Sequence, residues 1–158
     1  FGLASMTIVG KSIGADDTPQ ALAAGKIAGR IALVSSMVIA LVLALFRDFW
    51  LTVFTSDPEV IRLGANVLIV FAIIQIPKAV NIVFTGNLRG SADLAWLMWL
   101  AMLSVMIFEV FGAYTLAFIF NFSLAGLWLV QGVDEAFRLT ANYWRFRQSR
   151  WKVKNIFQ

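Results

Sequence analysis

The sequence predicts an all-α integral membrane protein, a polytopic bundle of transmembrane helices. Hydrophobic residues make up 60% of its 158 residues, and the mean hydropathy is +0.81. A water-soluble domain of this length cannot bury so much apolar surface. The apolar residues also fall into long runs of about 20 residues, the length at which a helix crosses the hydrocarbon core of a bilayer.

The apolar runs and their boundaries divide the chain into one partial and four complete spans. The partial span covers residues 1–9, and the complete spans cover about residues 21–46, 59–85, 94–118 and 124–144. Thr18 suits a helix N-cap before Pro19, and Ser56 with Glu59 forms a predicted capping box at the next helix start. Because the chain opens at Phe1 inside an apolar stretch, we expect it to be a segment of a longer protein.

Three pairs of glycines are spaced four residues apart, as at sites where helices approach closely in lipid. They are Gly10/Gly14, Gly25/Gly29 and Gly86/Gly90. The middle pair lies within a span and is predicted to pack against another helix. The first and last pairs lie in polar segments, where we expect them to serve the geometry of turns.

Lysine and arginine predict the orientation in the membrane. The ten cations assigned to one side are Lys11, Lys26, Arg30, Arg89, Arg138, Arg145, Arg147, Arg150, Lys152 and Lys154. The opposite side holds only Arg47 and Arg62. Since cytoplasmic loops carry the excess of Lys and Arg, residues 145–158 are predicted to form a basic cytoplasmic tail of a multi-pass protein in the cell inner or plasma membrane.

Composition excludes several function classes. The chain has no Cys and no His, which excludes disulfides, thiol chemistry, zinc sites and a histidine general base. No nucleophile has a basic neighbour, and no carboxylate pair has the spacing of a hydrolase. We therefore expect neither an enzyme nor a cofactor. The net charge of +4 lies beside spans, which favours topology and anionic lipid over nucleic acid.

Lys78 is the most unusual residue, because it lies near the middle of a predicted span. A charge there costs about 3 kcal/mol on insertion scales and usually lines a cavity or has an ionic partner. It follows Pro77, which frees a backbone carbonyl and can act as a hinge. Gln75 and Asn81 lie three residues to either side, so the three polar residues share one face and indicate a water-lined path. The alternative is that Lys78 extends to an interface.

Acidic residues interrupt the last two spans. Glu109 could titrate, bind a cation or pair with Lys78. Asp134 lies four residues before Arg138, so the two could form a structural ion pair within one helix, and a functional role for Asp134 is the equal alternative. These two acids complete the predicted substrate or ion pathway with Gln75, Lys78 and Asn81.

Five segments resemble the multidrug and toxic compound extrusion (MATE) transporters. Residues 9–17, Val-Gly-Lys-Ser-Ile-Gly-Ala-Asp-Asp, are similar to the family pattern VGxxLGAGD, and residues 54–60 to FTxDPEV. Residues 88–93, Leu-Arg-Gly-Ser-Ala-Asp, resemble the turn LRGxGD. Residues 126–128 and the ending at 145–151 also fit, and the segments follow the family's order along essentially the whole chain.

The resemblance implies a fold and a function. Family members have twelve helices in two lobes, and this chain resembles the second lobe, from the end of the eighth helix to the twelfth. It implies a secondary active efflux transporter that exports organic cations, drugs or metabolites by alternating access, in antiport against Na⁺ or H⁺. The implied partners are membrane lipid, a cationic or amphiphilic small molecule and the N-terminal lobe of the same protein.

The departures from the family pattern lead to one hypothesis. Lys78 stands where one branch of the family carries an acid, and Glu109 stands where Arg is common. We expect a Lys78–Glu109 pair to replace the usual polarity, with Pro77 and Gly112 as hinges. Two other functions stay open: a lipid-linked flippase of the same superfamily, which needs a more cationic cavity, and a non-transporting membrane scaffold, which needs uniformly apolar spans.

Overall fold

A computed structural model describes residues 1–119, 124–149 and 151, with the side chains of residues 119 and 124–127 left out. All the regular elements of this part of the chain are helices. They are α1 (Gly2–Gly14), α2 (Thr18–Leu45), α3 (Arg47–Thr52), α4 (Pro58–Gly90), α5 (Leu94–Ser104), two π-helical segments (Val105–Gly112 and Thr115–Ile119) and α6 (Leu124–Arg147). The predicted turn at residues 121–123, and residues 150 and 152–158 of the predicted tail, lie outside the described residues.

Aspartates cap the two longest helices. Asp17 caps α2, where its Oδ1 accepts a hydrogen bond from the Gln20 backbone N–H at 2.9 Å, and Thr18 is the first helical residue. Asp57 caps α4 in the same way, accepting from the Glu59 N–H at 2.9 Å. The predicted caps Thr18 and Ser56 were each wrong by one residue. A carboxylate accepts the same hydrogen bond and adds a negative charge at the positive end of the helix.

Helix α4 continues further than the sequence predicted. Residues 86–90 are its last turn, and the chain reverses only over Ser91, Ala92 and Asp93. The Asp93 N–H donates to the Leu88 carbonyl at 2.9 Å, which closes the helix end. Ala92 lies in the left-handed region with φ of 60°. The predicted turn beginning at Gly86 was therefore wrong for its first five residues.

The glycines of α4 explain why this turn stays helical. A Cβ on Gly86 would lie 2.7 Å from the Gly2 carbonyl oxygen, and one on Gly90 would lie 2.5 Å from the Met6 carbonyl oxygen. Helices α1 and α4 thus cross with their backbones in contact, which only glycine permits. The interpretation of the Gly86/Gly90 pair as turn residues was wrong.

The Gly25/Gly29 pair packs against aromatic rings, as the sequence predicted. A Cβ on Gly25 would lie 2.5 Å from Phe146 Cε1, and one on Gly29 would lie 2.9 Å from Phe84 Cζ. The rings of Phe84 and Phe146 lie 5.9 Å apart, so α2, α4 and α6 meet here. This crossing belongs to the buried core, which also contains Val9, Val83 and Leu88.

Three helices in the described residues are long and apolar enough to cross a membrane. They are Thr18–Leu45, Pro58–Gly90 and Leu94–Phe118, the last formed by α5 and the π-helical segments together. Helix α6, the fourth predicted span, does not meet that test, since it carries Asp134, Glu135 and Arg138. It packs against α4 and α5.

Helices α4 and α6 run parallel and bring the polar residues of both into one layer. Phe71 contacts Trp128 near one end, with ring centroids 5.4 Å apart, and Phe84 contacts Phe146 near the other. At the latter end Arg145 Nε donates to Asp93 Oδ2 at 2.7 Å. The α4–α5 turn and the end of α6 therefore lie on the same side of the bundle, as the alternation of hinges requires.

Candidate functional site

A chain of hydrogen bonds inside the bundle joins α6, α4 and α5. Asn81 Nδ2 donates to Glu135 Oε2 at 2.9 Å, and Asn142 Nδ2 donates to Asn81 Oδ1 at 2.9 Å and to Thr85 Oγ1 at 3.3 Å. Trp96 Nε1 in turn donates to Asn142 Oδ1 at 3.1 Å. Asn81, Glu135 and Asn142 are 6%, 8% and 2% exposed, so the chain satisfies polar groups that water scarcely reaches.

The spacing of these residues along their helices accounts for this series of hydrogen bonds. On α6 the residues Glu135, Arg138 and Asn142 are three and four apart, which places them on one face. On α4 Asn81 and Thr85 are four apart and likewise share a face. Because the two helices run parallel, these faces stay in register over more than one turn.

Beside these hydrogen bonds lies a cluster of charged side chains around Arg138. Its Nε donates to Asp134 Oδ2 at 2.8 Å, and its Nη2 lies 3.7 Å from Glu109 Oε1 on the π-helical segment. The Asp134–Arg138 contact that the spacing predicted is therefore present. Asp134 is fully buried, and its Oδ1 has no hydrogen-bond partner among the described residues.

The cluster holds more acid than base. Three carboxylates, those of Glu109, Asp134 and Glu135, stand against the single guanidinium of Arg138 in the ion pairs and hydrogen bonds of the described residues. Asp134 and Glu135 are buried, where unbalanced negative charge is costly, whereas the Glu109 side chain is 44% exposed. Among these contacts, the two buried carboxylates therefore outnumber the one guanidinium beside them.

A cavity of about 430 Å³ adjoins both groups of residues. Asn81, Thr85 and Arg89 of α4 line it together with Glu135 and Arg138 of α6. The first residues of α1, among them Leu3 and Met6, supply an apolar wall. A space with one apolar wall and one wall of carboxylate, amide and guanidinium groups suits an amphiphilic molecule or a water-filled path.

Of the five predicted pathway residues, Asn81 alone is among the described residues that line this cavity, and Glu109 and Asp134 are linked to it only through Arg138. Gln75 and Lys78 are half-buried on α4, and neither is among the described residues that line it. The expected Lys78–Glu109 pair is not formed, because Glu109 contacts Arg138 instead. The π-helical segment that carries Glu109 packs along α6, so a cation of α6 is its neighbour. Asn81, Glu109 and Asp134 do come together around α6.

The predicted hinges differ in their surroundings. Pro77 lies within α4, which continues as a helix on both sides of it although proline has no N–H to donate. Gly112 ends the first π-helical segment, and a Cβ there would lie 3.3 Å from Val130 Cγ1 of α6. Gly112 thus allows close packing against α6. Short π-helical segments such as the one that ends at Gly112 often occur at functional sites.

The sequence interpretation missed several residues of the site. Glu135, Asn142, Thr85 and Trp96 were not among the predicted pathway residues. One signal could have found the first two: polar residues at 135, 138, 142 and 145 repeat every three or four positions along α6. No sequence pattern links Trp96 to Asn142, since 46 residues separate them.

Comparison with known proteins identifies the family. The family model MatE matches residues 1–115, well over half of the chain.

The chain belongs to the MatE family. One relative is multidrug and toxin extrusion protein 2 of Oryctolagus cuniculus, 33% identical over 82% of this chain and 22% of the relative. The probable multidrug resistance protein NorM of Thermotoga maritima is 23% identical over 99% of this chain and 34% of the relative. An uncharacterized transporter of Schizosaccharomyces pombe is 30% identical over 89% of this chain and 26% of the relative.

The MatE chain spans about a fifth to a third of the length of these relatives. Membership in the family agrees with the helical fold and the three apolar helices, and the protein is an all-α, multi-pass membrane protein. The resemblance to MATE transporters drawn from the sequence is confirmed.

Proposed function

We propose that this chain forms the second lobe of a secondary active efflux transporter. The transporter would export cationic or amphiphilic compounds, drugs or metabolites, by alternating access in antiport against Na⁺ or H⁺. Two relatives are named for multidrug and toxin extrusion and for multidrug resistance, which supports export of such compounds. The N-terminal lobe of the same protein would complete the transport path, and the C-terminus would lie in the cytoplasm.

The observation that carries this proposal is the buried contact between Asn81 and Glu135 beside the cavity. Ionisable groups are costly within a membrane helix and are retained mainly where they serve a pathway. Glu135 and Asp134 are both buried within α6, and Glu109 faces them across Arg138. A scaffold protein would not need charged groups beside a cavity.

The mechanism follows from the surplus of carboxylates. A proton or Na⁺ entering from outside would neutralise one carboxylate and relax the repulsion among them, which favours one packing of the lobe. A cationic substrate in the cavity would compete for the same negative charge. Exchange between the two ligands then requires rocking of this lobe against its partner, as in other transporters built from two repeats. Pro77 and Gly112 remain the proposed sites of bending.

A lipid-linked flippase is less well supported. Its pyrophosphate would need a cavity rich in cations, whereas Arg89 and Arg138 line this one beside Glu135 and Arg138 is already paired with Asp134, which leaves Arg89 as the one unpaired cationic side chain of the described lining.

Dye efflux from cells tests the proposal. The intact gene product would be expressed in bacteria that lack their own drug exporters, and retention of ethidium measured by fluorescence. We expect the wild-type protein to lower ethidium retention, and Asn81→Leu to reduce the efflux rate about tenfold, because a buried hydrogen bond to a charged group contributes about 1.5–3 kcal/mol. Asn66→Leu is the matched control, since Asn66 is exposed on the same helix.

Efflux no faster than in cells with an empty vector, across several organic cations, would count against the exporter. Equal efflux by the Asn81→Leu and Asn66→Leu variants would mean that the buried hydrogen bonds of Asn81 play no part in transport.

A further inference from the structure

A second groove lies between α2, α4 and α6 and has a volume of about 510 Å³. It opens on a different face of α4 from the first cavity, because Pro77, Val80 and Phe84 line it whereas Asn81 and Thr85 line the other. Apolar side chains form most of its walls, including Leu33 of α2 and Leu139 of α6.

One end of this groove is positively charged. Lys26 and Arg30 lie one turn apart on α2, are both exposed, and form no hydrogen bond or ion pair with any described residue. The described residues that line the groove include no Asp or Glu. The Tyr143 hydroxyl, also at the groove, has no hydrogen-bond partner within the described part of the chain. The groove thus presents two cations and a hydroxyl, none of them paired within the described residues, that are available to bind an anion.

The depth of these cations matches the headgroup region of a bilayer. The apolar run of α2 begins directly after Arg30 and covers residues 31–46. At about 1.5 Å per residue this run is roughly 24 Å long, somewhat less than the hydrocarbon thickness of about 30 Å. Arg30 and Lys26 therefore lie at one boundary of the hydrocarbon, where lipid phosphates are found.

The outer surface of α2 is apolar and exposed. Its side chains Ile27, Ile31 and Val34, which flank the cations, are all exposed and apolar. A lipid molecule beside α2 can therefore enter the groove from the side, with its headgroup at the cations and an acyl chain along Leu33 and Val80.

We propose that this groove binds one anionic phospholipid. Its phosphate would contact Lys26 and Arg30 and accept a hydrogen bond from the Tyr143 hydroxyl, and an acyl chain would fill the apolar part lined by Leu33, Pro77 and Val80. A free phosphate ion would occupy only the charged end and leave the apolar part empty. The proposal stands independently of the proposed transport function.

Native mass spectrometry of the intact gene product in dodecylmaltoside tests this site. Dioleoylphosphatidylglycerol or dioleoylphosphatidylcholine would be titrated in, and bound lipids counted. We expect tighter binding of the anionic lipid by the wild-type protein. Each cation near a lipid headgroup is worth about fivefold in affinity, so Lys26→Gln with Arg30→Gln should weaken binding of phosphatidylglycerol about 25-fold and that of phosphatidylcholine, whose phosphate charge is balanced by its own choline, much less.

Two further variants separate the groove from general surface charge. Lys11→Gln with Arg147→Gln removes the same charge from exposed positions that do not line the groove, and should change phosphatidylglycerol affinity by less than about twofold. Leu33→Trp keeps both cations but fills the groove, and should weaken phosphatidylglycerol binding as well. Melting temperatures without added lipid would establish that each variant is folded.

Three results would overturn the proposal. Unchanged phosphatidylglycerol binding after loss of both groove cations would exclude them as the binding site. An equal loss in the Lys11/Arg147 control would assign the effect to diffuse charge. Displacement of phosphatidylglycerol by millimolar inorganic phosphate, with no effect of Leu33→Trp, would reduce the site to an anion site.

Discussion

The Asn81 amide donates a hydrogen bond to the Glu135 carboxylate across the interface of two parallel helices, at 2.9 Å. The contact joins the polar face of α4 to α6, which carries charged residues and is not among the described helices apolar enough to cross a membrane. Asn142 Nδ2 donates to the Asn81 side-chain oxygen, and Asn142 Oδ1 accepts a hydrogen bond from Trp96 Nε1. Four side chains from three helices are thereby held in one arrangement, beside the cavity.

Replacing Asn142 with leucine should destabilise the bundle. Asn142 donates to Asn81 and Thr85 and accepts from Trp96, so leucine leaves three polar partners without it. Each unsatisfied buried polar group costs about 1–3 kcal/mol. Because neighbouring side chains can shift and recover part of this cost, we expect the free energy of unfolding to fall by about 3 kcal/mol in total. Thermal unfolding in detergent measures it. Thr140→Leu is the control, because Thr140 bonds only to a backbone carbonyl on the exposed side of α6. A melting temperature equal to that of the control would contradict the network.

Alanine at Gly86 or Gly90 should separate α1 from α4. The added Cβ would meet backbone oxygens at 2.7 Å and 2.5 Å, and backbone cannot move aside as a flexible side chain can. We expect a loss of about 1–3 kcal/mol for each variant, as for other overpacked sites. Gly14→Ala is the matched control, since nothing lies within 4 Å of its Cβ, and alanine there should be neutral or stabilising. Similar melting temperatures for all three variants would refute the close crossing.

Glycine at Ala92 should stabilise the protein. Ala92 adopts φ of 60° in the turn after α4, where a Cβ costs about 1–2 kcal/mol, while glycine loses about 0.4–1 kcal/mol through the freedom of the unfolded chain. The net gain should be about 0.5–1 kcal/mol in thermal unfolding. Ala95→Gly, in the first turn of α5 with no positive φ, should instead lower stability. The opposite order of the two variants would mean that the turn is not left-handed.

Breaking the buried Asp93–Arg145 ion pair should destabilise the protein far more than breaking an exposed ion pair. Asp93 is 5% exposed and is held by Arg145, whose guanidinium also lies 5.0 Å from the centre of the Trp96 ring. Arg145→Gln leaves a buried carboxylate without its cation, and should cost about 3 kcal/mol or more. Arg47→Gln removes the partner of Asp48 in a pair with exposed side chains at 3.8 Å, and should cost at most about 1 kcal/mol. Equal losses in thermal unfolding would contradict the difference in burial.

The sequence predicted the helices and the local contacts of the fold but not its long-range pairing. Apolar runs, proline positions and the spacing of Asp134 and Arg138 act within one helix, so their outcome follows from the order of residues. The partner of Glu109 depends on which helix lies beside the π-helical segment, and that helix is α6 rather than the one carrying Lys78. Gly86 and Gly90 looked like turn residues because nothing in the local sequence reveals the backbone of α1 against them.

Two turns of the structure depart from the family pattern at a glycine position. The pattern carries glycine at the position of Asp16 and at that of Ala92, and these are two of the three non-glycine residues with positive φ in the described part of the chain. The backbone conformation that glycine serves is therefore kept here by residues less suited to it.

The most direct test of the central claim is gradient-driven transport in proteoliposomes that contain the intact protein with Glu135→Gln. Inward Na⁺ and H⁺ gradients would be imposed in turn, with dye accumulation and dye counterflow measured in parallel. Glutamine keeps the shape and an acceptor for Asn81 but cannot take up a positive charge. If the buried carboxylates couple the ion to the substrate, the variant loses accumulation driven by the gradient and keeps counterflow. Accumulation at the wild-type rate, under the gradient that drives the wild-type protein, would contradict the role of Glu135 in coupling.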